Sequence, residues 1–299
     1  MDRLQQMSVF VAVVEAEGFA GGARKMGMSP PAVTRVVAAL EQRLGVKLLN
    51  RTTRFVRMTE AGLQYYEDAK RLILLANEAD EAAQGINAAP QGLLTVTASV
   101  LFGRSFVMPV IVEYLRRYPR VQINALFVDR VVNMLEEGVD VAIRIAELPD
   151  SSYHALKVCT VKRVLCASPA YLHQHGTPKV PEDLAEHAVI LARGLNPNNE
   201  IRFQEGGQQK VVKLQPLLRV SDNDSAARAA IAGLGITRLL NYQIVDFLQS
   251  GQLKIVLGEF ESPPIPVHIL HREGRRSSAK VRAFVDMMAE RLRTDVNLN

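Results

Sequence analysis

Apolar residues recur at helical spacing from the first turn of the chain. Leu4, Met7, Val11 and Val14 form one stripe, Phe19, Ala23 and Met26 a second, and Val33, Val37, Leu40 and Leu44 a third. The spacing predicts three short helices, the last over 31–44. Between the second and third lies Met26-Gly27-Met28-Ser29-Pro30-Pro31. Gly27 suits a left-handed helix end, Ser29 an N-cap, and the prolines the first turn of the next helix, where a missing amide hydrogen is harmless. After Gly45 the Arg- and Thr-rich stretch from Asn50 to Met58 predicts a β-hairpin, the wing of a winged helix-turn-helix.

Thr59 is placed to cap a longer helix starting near Glu60. Tyr65, Ala69, Leu72, Ala76, Ala79, Ala83 and Ile86 then alternate four and three apart, giving one apolar seam until Pro90 stops it. Such a seam pairs with the same helix of a second subunit, which its small Ala residues permit at close range, or packs on its own domain. Left bare, a helix of this length is marginal in water.

From Gly92 onward strands alternate with helices. Strands are predicted over 93–98, 121–127 and 140–145, separated by helices over 107–117 and 131–137. A second set has strands over 163–167, 188–191 and 235–239 and helices over 169–175, 225–232 and 241–249. The chain returns through a strand over 265–271 and ends in an amphipathic helix over 278–293. This alternation implies right-handed crossovers and parallel sheets. Two α/β lobes joined by two crossing segments make a clamshell with a cleft between them. The expected organisation is an α+β winged helix-turn-helix domain at 1–59, a linker helix at 60–89 and a two-lobed α/β domain at 90–299. Lobe I spans about 90–162 and 266–299, and lobe II about 163–265.

Composition narrows the function. With 48% hydrophobic and 22% charged residues in 299, the chain is globular and long enough for two or three units. It has no apolar run of roughly 18 residues, and its N-terminus carries acids without a small-residue cleavage site. A cytoplasmic protein with no membrane association is therefore expected. Cys159 and Cys166 match no common zinc or redox spacing and are expected to be structural thiols. The formal charge of +5 is concentrated: residues 1–60 hold nine Lys or Arg against five Asp or Glu. That excess suits a polyanion, since cations aimed at phosphates release condensed counterions.

The residues from Phe19 through Gly62 resemble the helix-turn-helix, wing and linker entry of the LysR-type transcriptional regulators. The segments Glu136–Ile145, Cys166–Leu172 and Gly233–Ile236 resemble recurrent parts of that family's effector-binding domain, so the likeness covers essentially the whole chain. It implies a dimerising linker helix and a periplasmic-binding-protein-like sensor. It also implies a homodimer or, more often, a homotetramer on an interrupted inverted repeat of double-stranded DNA near a promoter. A small-molecule effector of unknown identity is implied as a second partner, and RNA polymerase is a further candidate. The sequence departs from the family pattern at Gly21 and Gly22, where alanines are usual, and at Pro30 and Val36, where glutamines are. Each glycine costs up to about 1 kcal/mol of helix propensity.

For DNA, a recognition helix must turn polar side chains toward base edges in the major groove. Ser29, Pro30, Pro31, Thr34 and Arg35 stand at the start of the third helix, and the family's base-contacting positions fall on Thr34 and Arg35. Arg35 is expected to pair bidentately with guanine, the alternative being phosphate contact alone. Arg51, Thr52, Thr53, Arg54 and Arg57 in the hairpin suit phosphate or minor-groove contact, which positions without specifying.

For the effector, Ser99, Val100, Leu101 and Phe102 follow the first strand of lobe I and open a helix, where unsatisfied amides attract anions. The resemblance adds Val128, Asp129, Ile145, Phe203 and Asn223, although Asp129 could serve only as a helix cap. No cofactor, metal site or enzymatic activity is expected. His173 and His175 lack carboxylate or thiolate partners nearby, and no GxSxG, Walker-type or GxGxxG motif occurs. The competing functions are an exported solute-binding protein, an enzyme built on the α/β lobes, and an architectural nucleic-acid binder.

Overall fold

The computed structural model describes residues 2–51, 56–83, 89–148, 153–192, 199–271, 278–296 and 298. It divides into two compact units. One contains Met1–Ala89 with Val132–Val139 and Arg276–Ala279, and the other contains Pro90–Val131, Asp140–Arg275 and Lys280–Asn299.

The first unit opens with three helices, α1 (Arg3–Glu15), α2 (Phe19–Met26) and α3 (Pro30–Leu44). Gly27 ends α2 at φ 62°, and the Ser29 hydroxyl accepts the Ala32 amide at 3.4 Å, so the turn is built as its residues require. Phe10, Val33, Val37 and Leu40 are fully buried in the core that the helices share. Gly21 and Gly22 have a packing reason. A Cβ on Gly22 would stand 2.8 Å from the Val13 backbone, and one on Gly21 would stand 2.7 Å from the Ala16 Cβ, so α1 and α2 approach closer than alanine permits. Strands β1 (Leu49–Arg51) and β2 (Val56–Met58) pair antiparallel, with Asn50 opposite Arg57.

Helix α4 (Glu60–Ala83) follows, capped by Thr59, whose hydroxyl accepts the Gly62 amide at 2.9 Å. Its apolar seam divides. Tyr65 meets Phe10 edge-on at 5.6 Å and Ala69 is fully buried against the unit's own core, whereas Leu72 remains 47% exposed and Leu75 50%. Ile86 lies outside the described residues.

The second unit carries two five-stranded sheets. The strands are β3 (Gly92–Ala98), β4 (Val121–Phe127), β5 (Val141–Ile145), β6 (His154–Val161), β7 (Arg163–Ala167), β8 (Val189–Ala192), β9 (Glu200–Glu205), β10 (Gln208–Lys213), β11 (Leu218–Val220), β12 (Ile236–Leu240), β13 (Lys254–Val256) and β14 (Ile265–His271). Lobe I has the order β4-β3-β5-β14-β6 and lobe II the order β11-β8-β12-β7-β13, while β9 and β10 form a separate hairpin.

The sheets are mixed, not parallel as the alternation implied. Strand β14 runs antiparallel to β5 and β6, and β12 and β13 run antiparallel to β7. The chain leaves lobe I through β6 and Lys162 into β7, and returns from β13 to β14, so these crossing strands enter sheets whose other pairings, β3 with β4 and β5 and β8 with β11 and β12, are parallel.

The helices of this unit are α5 (Val100–Phe102), α6 (Met108–Arg117), α7 (Pro169–His175), α8 (Asn223–Ile231), α9 (Val245–Gln249) and α10 (Ala279–Thr294). A π-helical turn over Gly103–Val107 joins α5 to α6, so the helix begins seven residues earlier than the pattern indicates. A Cβ on Gly103 would meet the Phe127 ring at 2.4 Å, which explains glycine there.

Two other expectations need correction. The helix over 131–137 is a turn, because Asn133 and Glu137 spend their side chains on local amides. Gly138, at φ 62°, ends it. The helix over 241–249 is broken at Ile244 into a 3-10 turn, Asn241–Gln243, and α9.

Candidate functional site

In the first unit, the outward start of α3 is formed by Ser29, Pro30, Pro31 and Arg35, all exposed, with Thr34 partly so. The Thr34 hydroxyl donates to the Pro30 carbonyl at 2.9 Å. Val36 is 8% exposed and packs in the core, so that position offers no polar contact because it is not on the outer face. Arg35 and Arg57 are exposed, and neither takes part in an ion pair among the described residues. Arg51 lies in β1, while Thr52, Thr53 and Arg54 lie outside the described residues.

The residue that sequence reasoning missed here is Glu41. Buried on α3, it accepts the amides of Leu48 at 3.0 Å and Leu49 at 3.1 Å and the Lys47 ammonium at 3.0 Å. Burial works to raise its pKa, but the hydrogen bonds from Lys47, Leu49 and Leu48 outweigh it and hold the carboxyl below its ordinary 4.5. One carboxylate thus ties α3 to β1. Thr59 makes the next tie, donating from its hydroxyl to the Lys47 carbonyl at 2.7 Å and from its amide to the Leu48 carbonyl at 2.9 Å. Gly62 lets α4 sit there, since a Cβ would lie 2.0 Å from the Leu48 oxygen.

In the second unit, a cavity of about 250 Å³ lies between the two sheets. Ser99, Leu101, Val128, Asp129 and Ile145 line it from lobe I, and Asn223 from lobe II. Three expected residues are not on its wall. Val100 turns its amide to the Asp129 carboxylate at 3.0 Å, so that pair caps α5. Phe102 is fully buried in the lobe I core, 4.8 Å from Phe106 and 5.3 Å from Tyr242. Phe203 is 4% exposed and belongs to the lobe II core, because alternation along β9 sends Ile201 and Phe203 inward and Arg202 outward.

The cavity adds residues that no local motif announced: Arg144, Arg163, Asp222, Tyr242 and Gln243. Asp222 caps α8, accepting the Ser225 amide at 2.8 Å, and that bond holds its carboxyl below the ordinary range. The Tyr242 hydroxyl accepts from the Gln243 amide nitrogen at 3.3 Å, and burial raises its pKa to about 12. Cys159 and Cys166 are free and buried, and burial raises both to about 12, so neither is a nucleophile near neutrality.

A basic, winged helix-turn-helix followed by two lobes around a small cavity is the arrangement of a ligand-responsive DNA-binding protein. Residues 4–63 match the model for the bacterial regulatory helix-turn-helix protein, lysR family, and residues 87–293 match the LysR substrate binding domain. The chain belongs to the LysR-type transcriptional regulators. The probable HTH-type transcriptional regulator LtrA of Klebsiella pneumoniae is 32% identical over 295 residues, 97% of this chain and 95% of that protein. The LysR-type regulator CrgA of Neisseria meningitidis superposes with a TM-score of 0.62 at 29% identity, covering 96% of this chain and 98% of that one. The full-length Vibrio cholerae virulence activator AphB gives 0.65 at 26% identity, over 97% of this chain and 100% of that one. As a LysR-type regulator the chain pairs a DNA-binding helix-turn-helix with an effector-binding domain and regulates transcription. No helix among the described residues is long and apolar enough to cross a membrane.

Proposed function

We propose that this regulator reads an interrupted inverted repeat through Thr34 and Arg35, while Arg51, Thr52, Thr53, Arg54 and Arg57 grip the phosphates. The observation that carries this reading is the outward N-terminal end of α3, with Arg35 unpaired and Glu41 holding the wing strand beside the same helix. Residues 1–59 bind DNA, 60–89 link, and 90–299 sense. Two copies pair through the part of the α4 seam that their own core leaves bare, at Leu72, with exposed Leu75 beside the seam. Paired copies suit a two-fold operator, as a homodimer or homotetramer. The cleft holds a small effector whose occupancy modulates transcription at the promoter, where RNA polymerase is the downstream partner. The protein works in the cytoplasm and catalyses no reaction.

Selection of bound duplexes from a random library tests the DNA half. A single inverted repeat should be enriched, and enrichment of none contradicts the reading. Calorimetry of a metabolite panel on wild type and Ser99→Ala tests the cleft, where equal affinity in both counts against it.

A further inference from the structure

Desolvated charges in folded proteins are ordinarily met by an opposite charge, because a lone buried ion is costly. Arg163 and Arg238 break that pattern. In the antiparallel β7–β12 pair Arg163 stands opposite Leu240 and Arg238 opposite Leu165, which puts both arginines on one face of the lobe II sheet. Both are partly buried, and no carboxylate among the described residues is ion-paired with either. Among the described residues Arg238 reaches only the Ser262 hydroxyl, at 3.5 Å. Burial lowers the pKa of both guanidinium groups, that of Arg238 to about 10 with the charge of Arg163 adding to the shift.

Arg163 lines two cavities: the cleft, and a smaller space of about 10 Å³ shared with Arg238, Ser262 and Glu261. The Glu261 carboxyl there is raised in pKa by burial, and the charge it faces is Lys162. The cleft carboxylates are already engaged, Asp129 by the Val100 amide and Asp222 by the Ser225 amide. Ser99, on the lobe I wall, has a buried hydroxyl that lies by that of Tyr242 and makes no well-formed hydrogen bond.

We propose that the effector carries a small oxyanion, a carboxylate or phosphate, and that Arg163, reinforced by Arg238 on the neighbouring strand, seats it on the lobe II wall of the cleft. This rests on the cleft being the effector site. A guanidinium donates in a plane matched to such groups, and a charged acceptor removes the repulsion between the two arginines. The Ser99 hydroxyl is then a second donor from the facing lobe.

Crystals of the full chain soaked in sodium bromide test the seat directly, because bromide binds without an organic body. An anomalous peak is expected at the Arg163 guanidinium, kept in Arg163→Lys and lost in Arg163→Gln. Bromide found only elsewhere, or a peak that survives Arg163→Gln, overturns the proposal. In solution, cyclohexanecarboxylate and inorganic phosphate are compared with uncharged cyclohexanecarboxamide by calorimetry. At least one anion should bind better than the amide, and weaken at least about tenfold in Arg163→Gln. Anions no better than the amide, whether all bind or none does, mean an adventitious ion only and overturn it. Ser99-dependent binding of the amide without an anion preference removes the oxyanion and leaves the cleft reading standing.

Discussion

Asn241 and Lys162 exchange two hydrogen bonds, the Asn241 amide donating to the Lys162 carbonyl at 2.9 Å and the Lys162 amide donating to the Asn241 side-chain oxygen at 2.9 Å. Lys162 is the residue between β6 of lobe I and β7 of lobe II, so this pair pins the first crossing between the lobes. Asn241 also begins the 3-10 turn that delivers Tyr242 and Gln243 to the cavity. Asn241→Ala removes one of the two bonds and should lower the unfolding free energy by about 1 kcal/mol. Urea denaturation of the two proteins checks this, and an unchanged midpoint would show that the pin carries no stability.

Glu41 makes wing attachment sensitive to acid. Its folded pKa lies below the unfolded value near 4.5, so its contribution is complete above that value and is lost as pH falls through the folded one. Glu41→Ala also leaves the Leu48 and Leu49 amides without their acceptor, a loss of about 2–3 kcal/mol. Stability measured against pH should fall in acid for wild type, with a smaller acid-dependent loss in the variant.

Gly62 and Gly22 differ from ordinary helical glycines. Alanine normally gains about 1 kcal/mol over glycine in a helix. At Gly62 the added methyl group would meet the Leu48 carbonyl at 2.0 Å, and at Gly22 the Val13 backbone at 2.8 Å. Both substitutions should therefore destabilise, by about 1–3 kcal/mol, with Gly62→Ala the worse. Thermal melts of the two variants give the order.

The wing arginines should act on every duplex alike. Arg54→Ala and Arg57→Ala are each expected to reduce the slope of log affinity against log salt by about one, with loss of affinity on operator and random DNA together. An unchanged slope removes that residue from the interface.

The helix-turn-helix was open to sequence reasoning because each of its signals is local. Gly27, Ser29 and the prolines act within one turn, and the stripe through Val33, Val37 and Leu40 lies on one helix. Glu41 was not, since its partners at 47–49 are set by a turn and hairpin whose geometry no spacing announces. The turn at 131–137 has helical periodicity, but Asn133 and Glu137 satisfy local amides with their side chains. The β9–β10 hairpin turns on Gly206 and Gly207, both at positive φ, a two-residue loop of the kind that joins antiparallel strands. In the cleft, Ser99, Leu101 and Asp129 were legible from the strand-to-helix boundary and the family likeness. Arg163 and Tyr242 were not, because they are far apart in sequence and meet only through the antiparallel pairing of β7 with β12.

The most direct measurement compares Arg35→Ala with wild type on the selected operator and on a panel of single-base variants of it. Loss of about 1–3 kcal/mol on the operator, with discrimination relaxed at one base pair of each half-site, is the outcome expected of direct readout. Equal weakening on operator, variants and random duplex would contradict it, and would leave α3 gripping phosphate without reading sequence through Arg35.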